Sequence, residues 1–142
     1  MKIDLETAAG YTIHSYSERE FVINVPPAMQ AGPVGGGTPS GEPGQEILSH
    51  SLVVMPDRLL RDWPPGSLEQ LTVEHLEMVA RLDPELVLLG LGKRLRFPDP
   101  GLVAPLFRRN IGVEYMNTPA ACRTYNFLAS EGRRVAAAIL IA

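Results

Sequence analysis

The sequence predicts an α/β fold with a mixed central sheet, a parallel centre, helices on both faces and a β-hairpin at the start of the chain. The clearest signal lies in residues 112–142, where an apolar run, a helical segment and a second apolar run follow one another. A second signal is the continuous apolar run Leu86–Leu89, typical of a strand buried on both faces. Strand–helix–strand units build parallel sheets with right-handed crossovers, so the second half of the chain predicts such a sheet.

The first part of the chain predicts antiparallel strands. Residues 11–17 alternate in polarity, and the apolar run at 21–25 follows a polar turn, which together are typical of a β-hairpin. Another strand is expected over Ile47–Met55, ahead of the turn signal Pro56–Asp57. Because these strands precede the first helix, strict alternation is broken and the central sheet is expected to be mixed.

Residues 26–44 have a distinct composition, rich in proline and glycine and poor in apolar side chains. Such a segment cannot bury enough apolar surface to offset the entropy lost on ordering, so we expect a flexible loop. The three glycines at 35–37 are not followed by the Lys-Ser/Thr pair of a phosphate-binding loop. The segment therefore does not predict a nucleotide site.

Three helices are predicted in the second half. The first begins after Thr72 and ends at Asp83–Pro84, with apolar residues at helical spacing between them. The second is short and covers 100–109, with proline near its start and arginines near its end. The third is expected to be capped by Thr118 and to end at Gly132.

Strands are expected to follow each of these helices. With the run at 86–89, the segments 111–116 and 135–141 give the order β-β-β-α-β-α-β-α-β. The final strand is apolar throughout, which fits either a central or an edge position.

Trp63 lies in a loop, and a lone tryptophan is more typical of a packing anchor than of a stacking platform.

Composition limits the classes of function. The 142 residues predict a single domain over 1–142, and the net charge of −3 lacks the basic footprint of a nucleic-acid-binding protein. No apolar stretch approaches the roughly 20 residues that span a bilayer. The single Cys122 excludes an internal disulfide and a cysteine-rich zinc site, and a cytoplasmic location is expected. The three histidines lie on separate elements, so no metal site, cofactor or complete catalytic set is predicted.

The chain resembles the Mth938-like family, which includes bacterial proteins of unknown function and the mitochondrial complex I assembly factor NDUFAF-three. The resemblance covers about residues 46–142, and it is carried by the segments 88–92, 98, 112–114, 118–126 and 131–136. Its most specific part is the sequence AACRTYN at 120–126. Members tend to have Gly-Thr-Gly where this chain has Gly90-Leu91-Gly92, so one hydroxyl is absent. The resemblance implies a three-layer α/β fold and a role made through protein contacts, and it supplies no catalytic residues.

A first candidate site is the corner that follows the strand at 86–89. The backbone N–H groups of Gly90 and Gly92 are candidates to face an anion, and Lys93, Arg94 and Arg96 add positive charge. The alternative is a tight turn with solvated basic residues.

A second candidate site is the start of the last helix. Arg123 and Asn126 share a face there, and Thr118 lies at the helix start. Arg123 is expected either to pair with Glu114 or Glu131 or to hold a partner's carboxylate. Asn126 is expected either to join this site or to satisfy the backbone of a loop. Cys122 lies near the positive end of the helix, but its spacing is more typical of a buried and inert thiol.

Both corners follow parallel strands, and the carboxyl ends of such strands meet at one edge of a sheet. We therefore predict one crevice for a ligand or partner, formed by Gly90, Gly92, Lys93, Arg94, Thr118, Arg123 and Asn126. The leading hypothesis is a non-catalytic assembly or accessory factor whose partner is another protein. The alternative is binding, or turnover, of a small anionic metabolite in the same crevice.

Overall fold

A computed structural model of the chain describes residues 10–29, 38–39 and 44–141. The strands in this part are β1 (Thr12–Tyr16), β2 (Phe21–Asn24), β3 (Thr38–Pro39), β4 (Gln45–Leu48), β5 (Leu52–Met55), β6 (Arg58–Leu60), β7 (Leu86–Gly90), β8 (Gly112–Met116) and β9 (Val135–Ile139). The α-helices are α1 (Val73–Ala80), α2 (Ala104–Arg108) and α3 (Thr118–Ser130). Short 3-10 turns are formed by Pro27–Met29, Leu68–Gln70 and Pro100–Val103.

The central sheet has five strands in the order β6-β5-β9-β7-β8. Strand β7 is parallel to both β8 and β9, whereas β5 is antiparallel to β9 and to β6. The predicted mixed sheet with a parallel centre is therefore confirmed. Strand β9 lies between β5 and β7, so the final apolar strand is central and is buried along its whole length.

The N-terminal hairpin is formed as predicted, but it lies in a separate antiparallel sheet of order β1-β2-β4-β3. The single strand expected over Ile47–Met55 is likewise wrong, because it is divided into β4 and β5. Its two parts belong to different sheets, and the chain turns at Ser49–Ser51 to pass between them. Ser51 fixes this break, since its hydroxyl accepts from Ile141 N at 2.9 Å and its carbonyl accepts from Trp63 N at 3.1 Å.

Two parts of the proline- and glycine-rich segment have regular structure. Pro27–Met29 forms a 3-10 turn, and Thr38–Pro39 pairs with β4 as the outer strand of the hairpin sheet. An edge position is where a strand tolerates a proline, because one side needs no ladder hydrogen bonds. Residues 30–37 and 40–43 lie outside the described residues, so the loop expected there stays a prediction.

Helix α1 begins where the sequence predicts. The Thr72 hydroxyl accepts from His75 N at 3.4 Å, and His75 Nδ1 accepts from Thr72 N at 3.0 Å, which forms a reciprocal cap. After the helix, Asp83 has a φ of 59° and turns the chain towards β7. The His75 imidazole therefore caps the first turn of α1.

Helix α3 begins one residue earlier than predicted. The cap is Asn117, whose side chain accepts from Ala120 N at 2.9 Å, so the expected cap at Thr118 is wrong. The last helical residue is Ser130, and Gly132, with a φ of 81°, terminates the helix as expected. The Gly132 and Arg133 N–H groups donate to the Ala129 and Leu128 carbonyls, a bond pattern typical of glycine-terminated helices.

The buried side chains form two cores, one on each face of the central sheet. Helices α1 and α2 cover one face, and Trp63 is buried there with its indole N–H donating to His75 O, so the predicted packing anchor is confirmed. Helix α3 and the hairpin sheet cover the other face. Successive residues of β7 alternate between the cores, since Val87 and Leu89 face the first and Leu88 faces the second.

Candidate functional site

A cleft of about 560 Å³ opens at the edge of the central sheet where its parallel strands end. The segments that follow β7 and β9 and the start of α3 form one side, and the turn between β1 and β2 forms the other. Its lining residues are Tyr16, Ser17, Glu18, Phe21, Leu91, Gly92, Lys93, Arg94, Arg96, Thr118, Pro119, Leu140 and Ile141. The two predicted corners therefore meet at one edge of the sheet, as the parallel topology requires.

The corners are joined by two hydrogen bonds between Gly92 and Thr118. Gly92 N donates to the Thr118 hydroxyl at 3.1 Å, and Thr118 N donates to Gly92 O at 2.7 Å. The residue Gly92 has a φ of 102°, which glycine adopts readily. Because its N–H is already donated within the protein, the predicted anion contact at Gly92 is wrong. The Thr118 hydroxyl, expected to cap a helix, instead joins the two loops.

Gly90 is required by packing between α3 and the sheet. It is the last residue of β7, and a Cβ atom placed on it lies 3.2 Å from both Ala121 Cβ and Ile139 Cγ2. Gly90 is not among the lining residues of the cleft. The two glycines of the corner therefore have structural roles, and the side chains that follow them give the site its chemistry.

The loop from Lys93 to Phe97, here called the basic loop, forms the rim of the cleft. Lys93 pairs with Glu18 across the mouth, and Arg96 pairs with Glu69 at 2.9 Å. Arg94 lines the cleft between them, and no carboxylate of the described residues is paired with it. The pairing with Lys93 lowers the pKa of Glu18, so this carboxylate is ionised at neutral pH.

Two large apolar side chains of the basic loop are exposed. Leu95 is 51% exposed and Phe97 is 70% exposed. The Phe97 ring contacts Tyr115 of β8 edge-on, with ring centroids 5.6 Å apart and planes at 87°. The apolar surface therefore continues out of the cleft and along the edge of the central sheet.

Besides Gly90, two more residues predicted for the crevice, Asn126 and Arg123, lie outside it. Asn126 donates to Ile13 O at 2.8 Å and accepts from Ile13 N at 2.9 Å, so its amide pairs with the backbone of β1. Arg123 is exposed on α3 and does not line the cleft. Among the described residues no carboxylate pairs with Arg123, so the expected ion pair with Glu114 or Glu131 is not formed there.

Cys122 is buried against the hairpin sheet, as its spacing predicts. Burial away from water raises the pKa of its thiol to about 12, and the nearby Arg123 opposes this shift only in part. The neighbouring Tyr125 is also buried, its hydroxyl donates to Tyr11 O at 2.7 Å, and desolvation raises its pKa. Both groups are therefore neutral at physiological pH and hold α3 on the hairpin.

Sequence reasoning missed half of the cleft. The residues Leu140 and Ile141 follow a parallel strand, so the rule that located the other corners also predicts their position. Tyr16, Glu18 and Phe21 had no such signal, because their position depends on how the hairpin sheet packs on the central sheet.

The described residues show no group of three or more His, Cys, Asp or Glu side chains that could hold a metal ion. In the same part of the chain no helix is long and apolar enough to cross a bilayer.

Comparison with known proteins places this fold in a family. The family model described as a protein of unknown function (DUF498/DUF598) matches residues 13–140. The chain belongs to the DUF498/DUF598 family. A zebrafish (Danio rerio) relative of this DUF498/DUF598 chain is named NADH dehydrogenase (ubiquinone) 1 alpha subcomplex assembly factor 3, and it is 36% identical over 95% of this chain and 67% of its own length. Across the first three curated relatives, the chain spans 63–67% of their length.

Solved structures agree with the DUF498/DUF598 assignment. The NMR structure of a Xanthomonas campestris protein is 38% identical, covers 93% of this chain and 85% of its own, and has a TM-score of 0.69. A Bordetella pertussis protein, described as a Mth938-like domain, is 27% identical over 99% of this chain and 90% of its own, with a TM-score of 0.72. The resemblance to the Mth938-like family and its α/β fold is therefore confirmed.

Proposed function

We propose that this protein is a non-catalytic assembly or accessory factor that acts by binding another protein. The observation that carries the proposal is the exposed pair Leu95 and Phe97 beside a cleft with an apolar floor. Large apolar side chains exposed next to a concave apolar surface are typical of protein-binding sites, because docking removes their surface from water.

The names of the relatives support the same class of function. The zebrafish and human relatives are both named as assembly factors. Since the chain spans about two thirds of the zebrafish relative, only the class of partner, another protein, is carried over. A cytoplasmic location, expected from the composition, is part of the proposal, and cell fractionation tests it.

The alternative of a small anionic metabolite is not carried forward. Of the groups expected to hold the metabolite, the Gly92 N–H is donated to Thr118, and Arg123 and Asn126 lie outside the cleft. Among the described residues, no buried side-chain nitrogen or oxygen lacks a hydrogen-bond partner, so no buried polar group is left to orient a small ligand.

The proposal is tested by comparative affinity purification of the full chain under native conditions. The double variant Leu95→Ser, Phe97→Ser removes the exposed apolar pair. The control is Phe107→Ser, Phe127→Ser, which changes two side chains that are 59% and 63% exposed on α2 and α3. We expect the first variant to lose proteins that the wild type and the control both retain, at similar melting temperatures. Identical sets of proteins for all three, or none with the wild type, would contradict the proposal.

A further inference from the structure

We propose that the cleft binds an acidic segment of the partner protein, with an apolar side chain seated on the floor and carboxylates on the basic rim. The inference rests on the proposed function, which it deepens by naming the chemistry of the partner. Three features support it. They are the apolar floor, the excess positive charge at the mouth, and the carboxylate of Glu18, which lies where we expect a carboxylate of the partner to bind.

The floor of the cleft is built from side chains of the two sheets. Phe21, Leu91 and Leu140 lie at its base and are almost fully buried, so the base is firmly held. The partly exposed Tyr16, Pro119 and Ile141 supply the apolar surface that faces the cleft. The volume of about 560 Å³ lies within the roughly 300–1,000 Å³ of binding clefts. An apolar side chain of a partner gains free energy by leaving water for this surface.

The rim has the opposite charge to the chain as a whole. Lys93, Arg94 and Arg96 line the cleft, whereas Lys93 is paired with Glu18 and Arg96 with Glu69, so the charge of Arg94 is left in excess although the net charge of the chain is −3. Arginine presents paired N–H donors that match the two oxygens of a carboxylate. A positive rim on an acidic protein favours a partner segment that carries aspartate or glutamate.

Glu18 lies where a carboxylate of the partner is expected. It pairs with Lys93 across the mouth, yet the side chains of both residues are mostly exposed, at 69% and 75%. Exposed pairs of this kind contribute little to stability, so exchanging one carboxylate for another costs little. Glu18 thus acts as an internal competitor, and removing its charge should strengthen binding.

The extent of the surface favours a protein segment over other occupants. Leu95 and Phe97 continue the apolar surface beyond the cleft, further than a small molecule within the cleft reaches. A bilayer contacts exposed side chains but does not enter a concave site between two sheets. An extended segment covers both the cleft and the loop.

The experiment selects peptides from a random 12-residue phage-display library on the immobilised full chain. The most enriched peptide is then made with a fluorescent label and titrated against variants by anisotropy. The double variant Arg94→Glu, Arg96→Glu reverses the rim, and Arg81→Glu, Arg108→Glu is the matched control, since both arginines are exposed and lie outside the cleft. The variant Glu18→Gln removes the internal competitor.

We expect enriched peptides in which aspartate or glutamate flanks a large apolar residue. Reversing the rim should weaken binding about tenfold or more, while the control stays within about twofold. The variant Glu18→Gln should tighten binding roughly two- to fivefold, and raising salt from 50 to 500 mM should weaken it. A side chain that only supported the fold would not produce a gain at Glu18.

Other outcomes overturn the inference. Neutral or basic peptides, equal losses in the control, or no enrichment at all would contradict an acidic segment. If the acidic segment is ruled out but affinity purification still returns a partner that depends on Leu95 and Phe97, only the further inference is wrong and the proposed function stands. If no such partner is returned, the proposed function is contradicted as well. Sedimentation with phosphatidylglycerol vesicles that is abolished by rim reversal would assign the surface to a membrane instead.

Discussion

At the scale of single residues, Asn126 joins the last helix to the first strand. Its amide both donates to and accepts from the backbone of Ile13, with distances of 2.8 and 2.9 Å, as a neighbouring strand would. The sequence left two roles open for Asn126, a place in the site of Arg123 or a bond to backbone, and the second is the one observed. The two side chains have different roles, since Arg123 is exposed and Asn126 pairs with β1.

Replacing Asn126 with alanine should destabilise the protein by about 2–3 kcal/mol, because the Ile13 N–H and C=O lose their partner in a half-buried position. Urea unfolding followed by circular dichroism measures the change. The control Arg123→Ala should change the free energy of unfolding by less than about 0.5 kcal/mol. Equal effects of the two substitutions would contradict the role assigned to Asn126.

The burial of Cys122 predicts an inert thiol in the folded protein. Its pKa is raised from 9.0 to about 12, so DTNB at pH 8 should label it slowly in buffer and rapidly in denaturing urea. Above about pH 9 the unfolded chain loses this proton and the folded chain retains it. Stability should therefore fall as the pH rises from 9 towards 12, and the variant Cys122→Ala should lack this contribution. Rapid labelling of the native protein would show that the thiol is accessible.

At the scale of elements, the seating of α3 on the central sheet depends on a small residue at the end of β7. A Cβ atom at Gly90 would be crowded, since Ala121 of α3 and Ile139 of β9 would both lie 3.2 Å from it. From its position at the end of a strand, Gly90 was predicted to face a ligand. Close packing of the helix explains it instead.

The substitution Gly90→Ala should destabilise the protein by about 1–3 kcal/mol, because its Cβ would lie 3.2 Å from two carbons on buried elements that cannot move freely. Thermal unfolding measures the effect. At Gly101 the nearest atom to an added Cβ is 3.6 Å away, so Gly101→Ala should be nearly neutral. If Gly90→Ala left the melting temperature unchanged, α3 would be able to move away from the added Cβ atom without loss of stability.

At the scale of the whole molecule, two cores share one central sheet. Trp63 lies in the core beneath α1 and α2, whereas Asn126 and Cys122 contribute to the opposite face. Strands β5, β7 and β9 contribute side chains to both cores. If one core is lost, the strands that also form the other core become exposed to water. We therefore expect the two cores to unfold in a single transition.

Fluorescence of Trp63, the one tryptophan in the sequence, tests this coupling and the predicted single domain. We expect its transition in urea to coincide with that of far-UV circular dichroism. The variant Asn126→Ala, on the opposite face, should shift both midpoints equally. A fluorescence midpoint that stays unchanged while the dichroism midpoint moves would mean that the two faces unfold independently.

Patterns among neighbouring residues were enough to predict the local elements and the parallel centre of the sheet. Helix α1, the end of α3 at Gly132 and strand β7 were predictable because caps, apolar spacing and apolar runs are properties of neighbouring residues. The meeting of the corners at Gly92 and Thr118 was also predictable, since parallel strands end at one edge.

The set of side chains that line the cleft depends instead on how the folded elements pack. The hairpin forms its own sheet, Ser51 divides a run that looks continuous, and Glu18 comes to face Lys93. These outcomes depend on contacts between residues far apart in the chain, such as Asn126 and Ile13, which are 113 positions apart. Local sequence patterns do not show which face of the hairpin sheet packs on which face of the central sheet. That arrangement depends on the free energy of the complete cores, to which residues from the whole chain contribute.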